Sequence, residues 1–122
     1  MSKKVLDVGQ CPPDHMALRR LVESFGARME QVALPAEALE LLKEQSFDLV
    51  FVNRKIDLDY TDGIELVRMM KENEETREIP VMVISNFEET QDEVVALGGE
   101  RGFGKSEIGL PGTRELLARF LT

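Results

Sequence analysis

The chain has 122 residues, of which 43% are apolar and 31% charged, a composition typical of one globular domain with a buried core. Its 23 acidic side chains outnumber the 15 basic ones, and the net charge of −8 argues against nonspecific nucleic-acid binding. The single cysteine, Cys11, excludes an intrachain disulfide, and no apolar run is long enough for a signal peptide or a membrane span. We therefore expect 1–122 to form a single cytoplasmic domain that binds neither nucleic acid nor membrane.

Short apolar runs in the sequence predict five strands. Residues 5–8, 49–52 and 81–84 are almost continuously apolar, whereas residues 28–32 alternate in the manner of a half-buried strand. A short segment around residues 102–103 predicts a fifth strand. Continuously apolar strands are typical of a parallel sheet that is covered on both faces.

The segments between and after these runs predict five helices, because their apolar residues recur at helical spacing. The predicted helices cover residues 13–25, 36–42, 62–70, 90–97 and 113–121. Asp62 with Glu65, and Thr90 with Glu93, have the spacing of capping boxes and predict the starts of the third and fourth helices. Alternating strands and helices with right-handed crossovers predict an α/β fold, a doubly wound five-stranded parallel sheet between two helical layers.

Ligands of doubly wound folds bind at the carboxyl ends of the strands, so the residues that follow each strand are the candidate site. The sequence places the following residues there: Gly9, Gln10, Asn53, Ser85, Asn86 and Lys105. Most of them are polar and none is acidic.

The stretch GGERGFGKS, residues 98–106, matches the phosphate-binding pattern G-x-x-x-x-G-K-[ST] when it is read from Gly99. A functional phosphate loop needs a strand before it and a helix that begins at its Lys-Ser pair. Here the preceding residues have a helical pattern, while Gly109, Pro111 and Gly112 oppose a helix after Ser106. The pattern therefore favours a chance match, and a nucleotide hydrolase is the less favoured interpretation.

The segments VLDVGQCPPD, FDLVFVNRKI, DGIELVRMMK, IPVMVISN and GFGKS occur in this order and resemble the receiver domain of bacterial two-component response regulators over nearly the whole chain. The resemblance implies a flavodoxin-like three-layer α/β/α sandwich. It also implies a magnesium ion held by two acidic residues after the first strand, and an aspartate at the end of the third strand that takes a phosphoryl group from a histidine kinase. A Ser/Thr and a Lys of the family contact the phosphoryl oxygens, and Ser85 and Lys105 match those two positions.

The departures from the family pattern affect its chemistry directly. Gly9 and Gln10 occupy the positions of the acidic pair, and Asn53 occupies that of the phosphoacceptor. A carboxamide is not a carboxylate nucleophile, and magnesium prefers anionic oxygen ligands. We therefore predict that phosphoryl transfer and Mg²⁺ binding are lost, so that the chain needs no cofactor and is not an enzyme.

The loop after Asn53 is longer than usual and lacks the family's proline, Asn86 replaces a small residue, and Ser106 replaces the proline after the lysine. All of these departures from the family pattern lie at the carboxyl ends of the predicted strands.

The leading hypothesis is a pseudo-receiver that acts by protein–protein contact, with a signalling protein or sensor kinase as partner and a homodimer as a further expectation. One alternative is a small-anion site at Ser85, Lys105 and Ser106, because Lys105 lacks matched carboxylates. The other alternative keeps phosphorylation at an unorthodox residue, Asp57 or Asp59.

The sequence also predicts the surroundings of one aspartate, the histidine and three methionines. Asp7 lies within an apolar strand, where an unpaired charge is costly, so we expect a polar neighbour, or a partnership with Lys105 or Asn53. The only histidine, His15, is expected on the surface of the first helical turn. The methionines of the apolar stripes are expected in the core; they are Met69, Met70 and Met82.

Overall fold

The computed structural model describes residues 2–122, and its centre is a parallel sheet of four strands in the order β2-β1-β3-β4. The strands are β1 (Lys4–Val8), β2 (Arg28–Val32), β3 (Leu49–Asn53) and β4 (Val81–Ile84). Val5 of β1 pairs with Met29 on one side and with Leu49 on the other, which fixes the register of β2, β1 and β3. The carboxyl ends of all four strands therefore meet at one edge.

Five α-helices cover the sheet, and a short 3₁₀ helix, Lys105–Glu107, precedes the last of them. They are α1 (Pro12–Glu23), α2 (Pro35–Glu44), α3 (Ile64–Glu72), α4 (Glu88–Ala96) and α5 (Pro111–Leu121). None of the helices within residues 2–122 is both long and apolar enough to cross a membrane.

Two separate cores, one on each face of the sheet, confirm the three-layer flavodoxin-like architecture. One core packs Leu6 and Val52 against residues of α2, α3 and α4, and the other packs Phe51 against residues of α1 and α5. Met70 and Met82 are fully buried as expected, but Met69 on the outer side of α3 is 37% exposed, so its predicted core position is wrong.

The predicted fifth strand is not formed, although its segment runs beside β4. Backbone hydrogen bonds join Glu100 N to Val81 O and Ser85 N to Phe103 O, at 2.9 and 3.0 Å. Between them, Gln91 Nε2 donates to the Val83 carbonyl at 3.0 Å, and Gln91 Oε1 accepts from Gly102 N at 2.7 Å. The side chain of Gln91 thus takes the place of a middle rung of the ladder, and the sheet has four strands.

The two capping-box predictions also differ from the structure. Asp62 Oδ1 accepts a hydrogen bond from Ile64 N at the start of α3, but Glu65 pairs with Arg68 instead of closing a box. The helix α4 begins at Glu88, so Thr90 lies inside it. Ser85 Oγ accepts from Phe87 N just before α4, and this contact had no signature in the sequence.

Candidate functional site

The carboxyl edge of the sheet contains a cleft of about 340 Å³ between the β3–α3 loop and the start of α4. Its lining includes Asn53, Ser85, Asn86 and Lys105, which the topology was expected to bring together. Gly9 and Gln10 line a separate depression on the β1 side, and Ser106 lies outside both. The candidate residues therefore share one edge but not one cavity.

Asn53 connects the ends of β3 and β1. Its side chain is 7% exposed, and Nδ2 donates to the Gly9 carbonyl at 3.2 Å. The same carbonyl accepts from Asp57 N at 2.9 Å. The Gly9 carbonyl oxygen therefore accepts two hydrogen bonds, and the Asn53 amide links the ends of β1 and β3.

Gly9 itself has a left-handed backbone with φ of +76°, a conformation that favours glycine. A Cβ atom added there would lie 2.5 Å from Cδ1 of the fully buried Ile56. Both backbone and packing therefore disfavour any side chain at this position.

Lys105 is paired with an acidic residue that the sequence analysis did not include. Its Nζ lies 2.7 Å from Asp14 Oδ2 in the first turn of α1, and the Cys11 thiol donates to the same oxygen at 3.0 Å. Burial raises the pKa of Asp14, but its bonds to Lys105 and Cys11 outweigh burial and hold the pKa below the usual value. The hydrogen bond to Asp14 in turn raises the pKa of the Cys11 thiol.

The expectation of an uncompensated Lys105 is therefore wrong. The candidate residues all follow predicted strands, whereas Asp14 reaches the site from within a helix. The available signal was an acidic residue in the first turn of a helix that follows a strand-end loop, a position that the helix dipole favours.

Asn86 and Ser106 bond each other across the edge of the cleft. Asn86 Oδ1 accepts from Ser106 Oγ at 2.9 Å and from Ser106 N at 3.3 Å. The neighbouring Gly104 is required here, because a Cβ atom would lie 1.7 Å from Asn86 Oδ1. The hydroxyl of Ser106 is thus engaged within the protein.

Asp7 and His15 form a buried pair, which corrects two expectations. His15 is only 5% exposed, and its Nδ1 lies 2.7 Å from Asp7 Oδ2, so the predicted surface histidine is wrong. Asp7 has its expected polar neighbour, but this is neither Lys105 nor Asn53. The face of α1 that meets the sheet includes its first turn, and this orientation places His15 inside.

Burial of Asp7 raises its pKa from 3.8 to about 6, against the opposing effects of His15 and, more weakly, of Gln10. The second oxygen of Asp7 and both polar atoms of the Gln10 amide are buried without a hydrogen bond of normal geometry. This small polar cluster lies directly beneath the loop that the family uses for its acidic pair.

The residues at the family's magnesium positions do not fit that ion. Gly9 has no side chain, and Gln10 and Asn53 are buried carboxamides. No group of three or more His, Cys, Asp or Glu side chains within residues 2–122 is arranged to hold a metal. Since magnesium binds through anionic oxygens, this donor set does not suit it.

The phosphate-loop interpretation of residues 99–106 also disagrees with the structure. Gly99 follows the helix α4, where a phosphate loop follows a strand, and only the three-residue 3₁₀ helix begins at Lys105. The backbone needed to bind nucleotide phosphates is therefore not formed there.

The doubly wound parallel sheet lies between two helical layers, and this architecture is that of a flavodoxin-like domain. A site that contains a lysine lies at the carboxyl edge of the sheet, beside a long β3–α3 loop. The family model described as the response regulator receiver domain matches residues 12–102, which is most of the chain. The chain belongs to this family, and it is a receiver domain of the two-component signalling type.

Relatives and solved structures agree with this assignment. The polar-differentiation response regulators DivK of Brucella ovis and Brucella suis are each 29% identical to the chain over 122 residues, covering 99% of it and 98% of each relative. The Vibrio cholerae chemotaxis protein CheY4 superposes with a TM-score of 0.78 at 20% identity, covering 99% of this chain and 100% of that one.

The signal receiver domain of a DNA binding response regulator (merR) from Colwellia psychrerythraea 34H superposes with a TM-score of 0.79 at 21% identity, covering 96% of both chains. At these identities the two solved structures show a shared fold.

Proposed function

We propose that the chain is a receiver-type signalling module that takes no phosphoryl group at Asn53 and acts through contact with a partner protein. The observation that carries this proposal is the side chain of Asn53, a carboxamide bonded to the Gly9 carbonyl at the end of β3. Formation of an acyl phosphate requires a carboxylate oxygen to attack phosphorus, and an amide supplies none.

The pairing of Lys105 with Asp14 supports the same proposal. The resemblance to active receivers implies that this lysine contacts phosphoryl oxygens, yet here its ammonium group already has a carboxylate at 2.7 Å. The ion pair neutralises the charge that would attract a phosphoryl group. We therefore expect the site to keep this arrangement in the absence of phosphate.

A module of this kind needs a partner to have an effect. We assign that role to a signalling protein or a sensor kinase in the cytoplasm, with a second copy of the chain as the other candidate. The net charge of −8 opposes nucleic acid as the partner, and the proposal includes no catalytic turnover of its own.

The test is the intact mass of the wild-type protein after incubation with acetyl phosphate and Mg²⁺, with a phosphorylatable receiver domain as positive control. We expect no phosphoryl adduct on the wild type. The variant Asn53→Asp supplies the nucleophile, and Asn53→Asp/Gln10→Asp adds one carboxylate for the metal, so adduct formation is expected to increase in that order.

A phosphoryl adduct on the wild type would overturn the proposal. Peptide mapping would then locate it, and modification of Asp57 or Asp59 would establish phosphorylation at an unorthodox carboxylate of the β3–α3 loop.

A further inference from the structure

The β3–α3 loop is firmly held at its base and exposed at its tip. Lys55 and Asp62 form an antiparallel bridge, and Ile56 N donates to Thr61 O at 2.9 Å while the Ile56 side chain is fully buried. In contrast, Leu58 and Tyr60 are 64% and 71% exposed. The loop therefore presents apolar side chains to solvent from a fixed position.

Two aromatic rings lie at the opening of the cleft, one on each side. Tyr60 lines it from the loop, and Phe87, which is 65% exposed, lines it from the start of α4. Large apolar groups exposed at the rim of a cleft are a common feature of binding sites. Because both residues are largely exposed, an occupant that covers both rings also contacts the rim of the cleft.

The backbone of Tyr60 is a second sign that the fold does not require this residue. Its φ of 60° is left-handed, where glycine and asparagine are favoured and a bulky aromatic residue is uncommon. The exposed ring gives the folded chain little packing in return. The packing of the described residues therefore does not explain a tyrosine at this position.

Three cationic side chains line the cleft in a chain that is otherwise acidic, and two of them are paired with acidic side chains. Arg54, Lys55 and Lys105 line it together with a single carboxylate, that of Asp57. Lys105 is neutralised by Asp14, and Arg54 Nη1 lies 3.2 Å from a carboxylate oxygen of Asp62. Lys55 forms no salt bridge within residues 2–122, and its ammonium group lies 5.6 Å from the centre of the Tyr60 ring.

Hydrogen-bond donors are also available in the cleft. The Ser85 hydroxyl accepts from Phe87 N, and Asn86 uses its carbonyl oxygen for Ser106, so the hydroxyl proton and the Asn86 NH₂ group form no hydrogen bond within residues 2–122. Together with Lys55, these groups suit carboxylate or backbone carbonyl oxygens.

We propose that this cleft binds a segment of a partner polypeptide in which one large apolar side chain is flanked by acidic residues. The apolar side chain enters between Tyr60 and Phe87. The flanking carboxylates meet Lys55 and the hydrogen-bond donors of Ser85 and Asn86. A volume of about 340 Å³ suits one side chain with its adjoining backbone. The inference rests on the proposed function, because it names the surface through which the module contacts its partner.

The test is a titration of ¹⁵N-labelled full-length protein, followed by amide chemical shifts, with two seven-residue peptides. One has a central leucine flanked by three glutamates on each side, and the other has lysines in place of the glutamates. We expect the acidic peptide to shift the amides of residues 53–60 and 84–87 in a saturable way, and increasingly weakly as salt is added. The basic peptide is expected to leave these amides unchanged.

Variants at exposed positions test the two halves of the recognition separately. Phe87→Ser is expected to weaken binding of the acidic peptide about tenfold, as for removal of a central apolar anchor. Lys55→Glu is expected to weaken it about fivefold, as for loss of an exposed charge contact. The matched controls are Leu110→Ser and Lys43→Glu, both exposed and outside the cleft, and they are expected to bind as the wild type does.

The proposal is overturned if the acidic peptide shifts no cleft amides at millimolar concentration, or if the lysine peptide shifts them equally. It is also overturned if free glutamate binds as tightly as the peptide, because the cleft would then be a simple anion site. The phosphorylation assay is independent of these results, since an adduct on the wild type refutes the proposed function whether or not the peptide binds.

Discussion

The two sides of the carboxyl edge differ in how far their side chains are exposed to solvent. On the β1–α1 side, Asp14 holds Lys105, His15 holds Asp7, and the contacts are made by groups that are buried or partly buried. On the opposite side, Tyr60 and Phe87 are largely exposed around a cationic cleft. The first side has the internal contacts of a structural element, and the second has the free groups of a binding surface.

This difference shows that the two sides of one edge can have separate roles, whether or not the chain takes a phosphoryl group. The positions that would handle phosphate are occupied by amides and an ion pair, while the longer β3–α3 loop adds apolar surface beside them. Under the proposed function, this edge makes contacts with a partner and carries out no phosphoryl transfer.

The largest effect is expected where the two sides meet, at Gly104. In Gly104→Ala the new Cβ would lie 1.7 Å from Asn86 Oδ1 and 2.7 Å from Asn86 Cα, so that Asn86 and its backbone must move. We expect the free energy of unfolding to fall by about 3 kcal/mol. Urea unfolding followed by far-ultraviolet circular dichroism measures it, since the chain has no tryptophan.

Gly109→Ala is the matched control for this substitution, because no atom lies within 4 Å of its added Cβ. It is expected to change the stability by less than about 0.5 kcal/mol. Equal stability of the two variants would contradict a close contact between Gly104 and Asn86.

An intermediate effect is expected from the buried pair on the β1–α1 side, and it depends on pH. The pKa of Asp7 is raised from 3.8 to about 6, so the folded protein binds this proton more tightly than the unfolded chain does. The contribution of Asp7 to stability is therefore greatest below about pH 4 and is lost as the pH rises through 6. In Asp7→Asn this titration is absent.

The stability of the wild type relative to Asp7→Asn is therefore expected to fall between pH 4 and pH 7, by an amount on the order of 2 kcal/mol. Urea unfolding at several pH values measures the difference. The pKa of the exposed Asp59 is held below its usual value by hydrogen bonds from Thr61. The stability of the wild type relative to Asp59→Asn is therefore expected to rise with pH, opposite to the change for Asp7→Asn. A difference for Asp7 that rises with pH would refute the assignment of a raised pKa.

The smallest effect on stability is expected at the binding surface. Asparagine tolerates a left-handed backbone better than tyrosine, so Tyr60→Asn is expected to raise the free energy of unfolding by about 0.5 kcal/mol. The same variant is expected to weaken binding of the acidic peptide. Leu58→Asn, at an exposed position of ordinary backbone conformation, is the control that leaves stability unchanged. A clear loss of stability in Tyr60→Asn would mean that the ring serves the fold.

Much of the fold could be predicted from the sequence, because the spacing of apolar residues and the alternation of strands and helices depend on local residue types. Four strands and five helices lie close to their predicted positions, and the fifth strand failed because one long-range side chain, Gln91, replaces backbone pairing. The predicted starts of α3 and α4 were also inaccurate. The contacts at these starts are made by Asp62 and Ser85 and are not those of a capping box.

The candidate site was predictable only as far as it consists of strand ends. Asn53 is the last residue of β3, Ser85 directly follows β4, and Lys105 follows the segment that runs beside β4. The topology alone therefore brings these three residues to one edge. Asp14 and His15 were missed as site residues because their roles depend on the rotation of α1 against the sheet. That rotation is set by packing of the whole helix and has no local signature.

The end of β1 is connected to the β3–α3 loop through the conformation of Gly9. An acidic residue there would require the chain to leave its left-handed conformation and would also displace Ile56, whose Cδ1 occupies the space of the new Cβ. Ile56 is the buried anchor of the loop that carries Tyr60. A side chain introduced at Gly9 is therefore expected to alter the loop that carries the aromatic residues of the cleft.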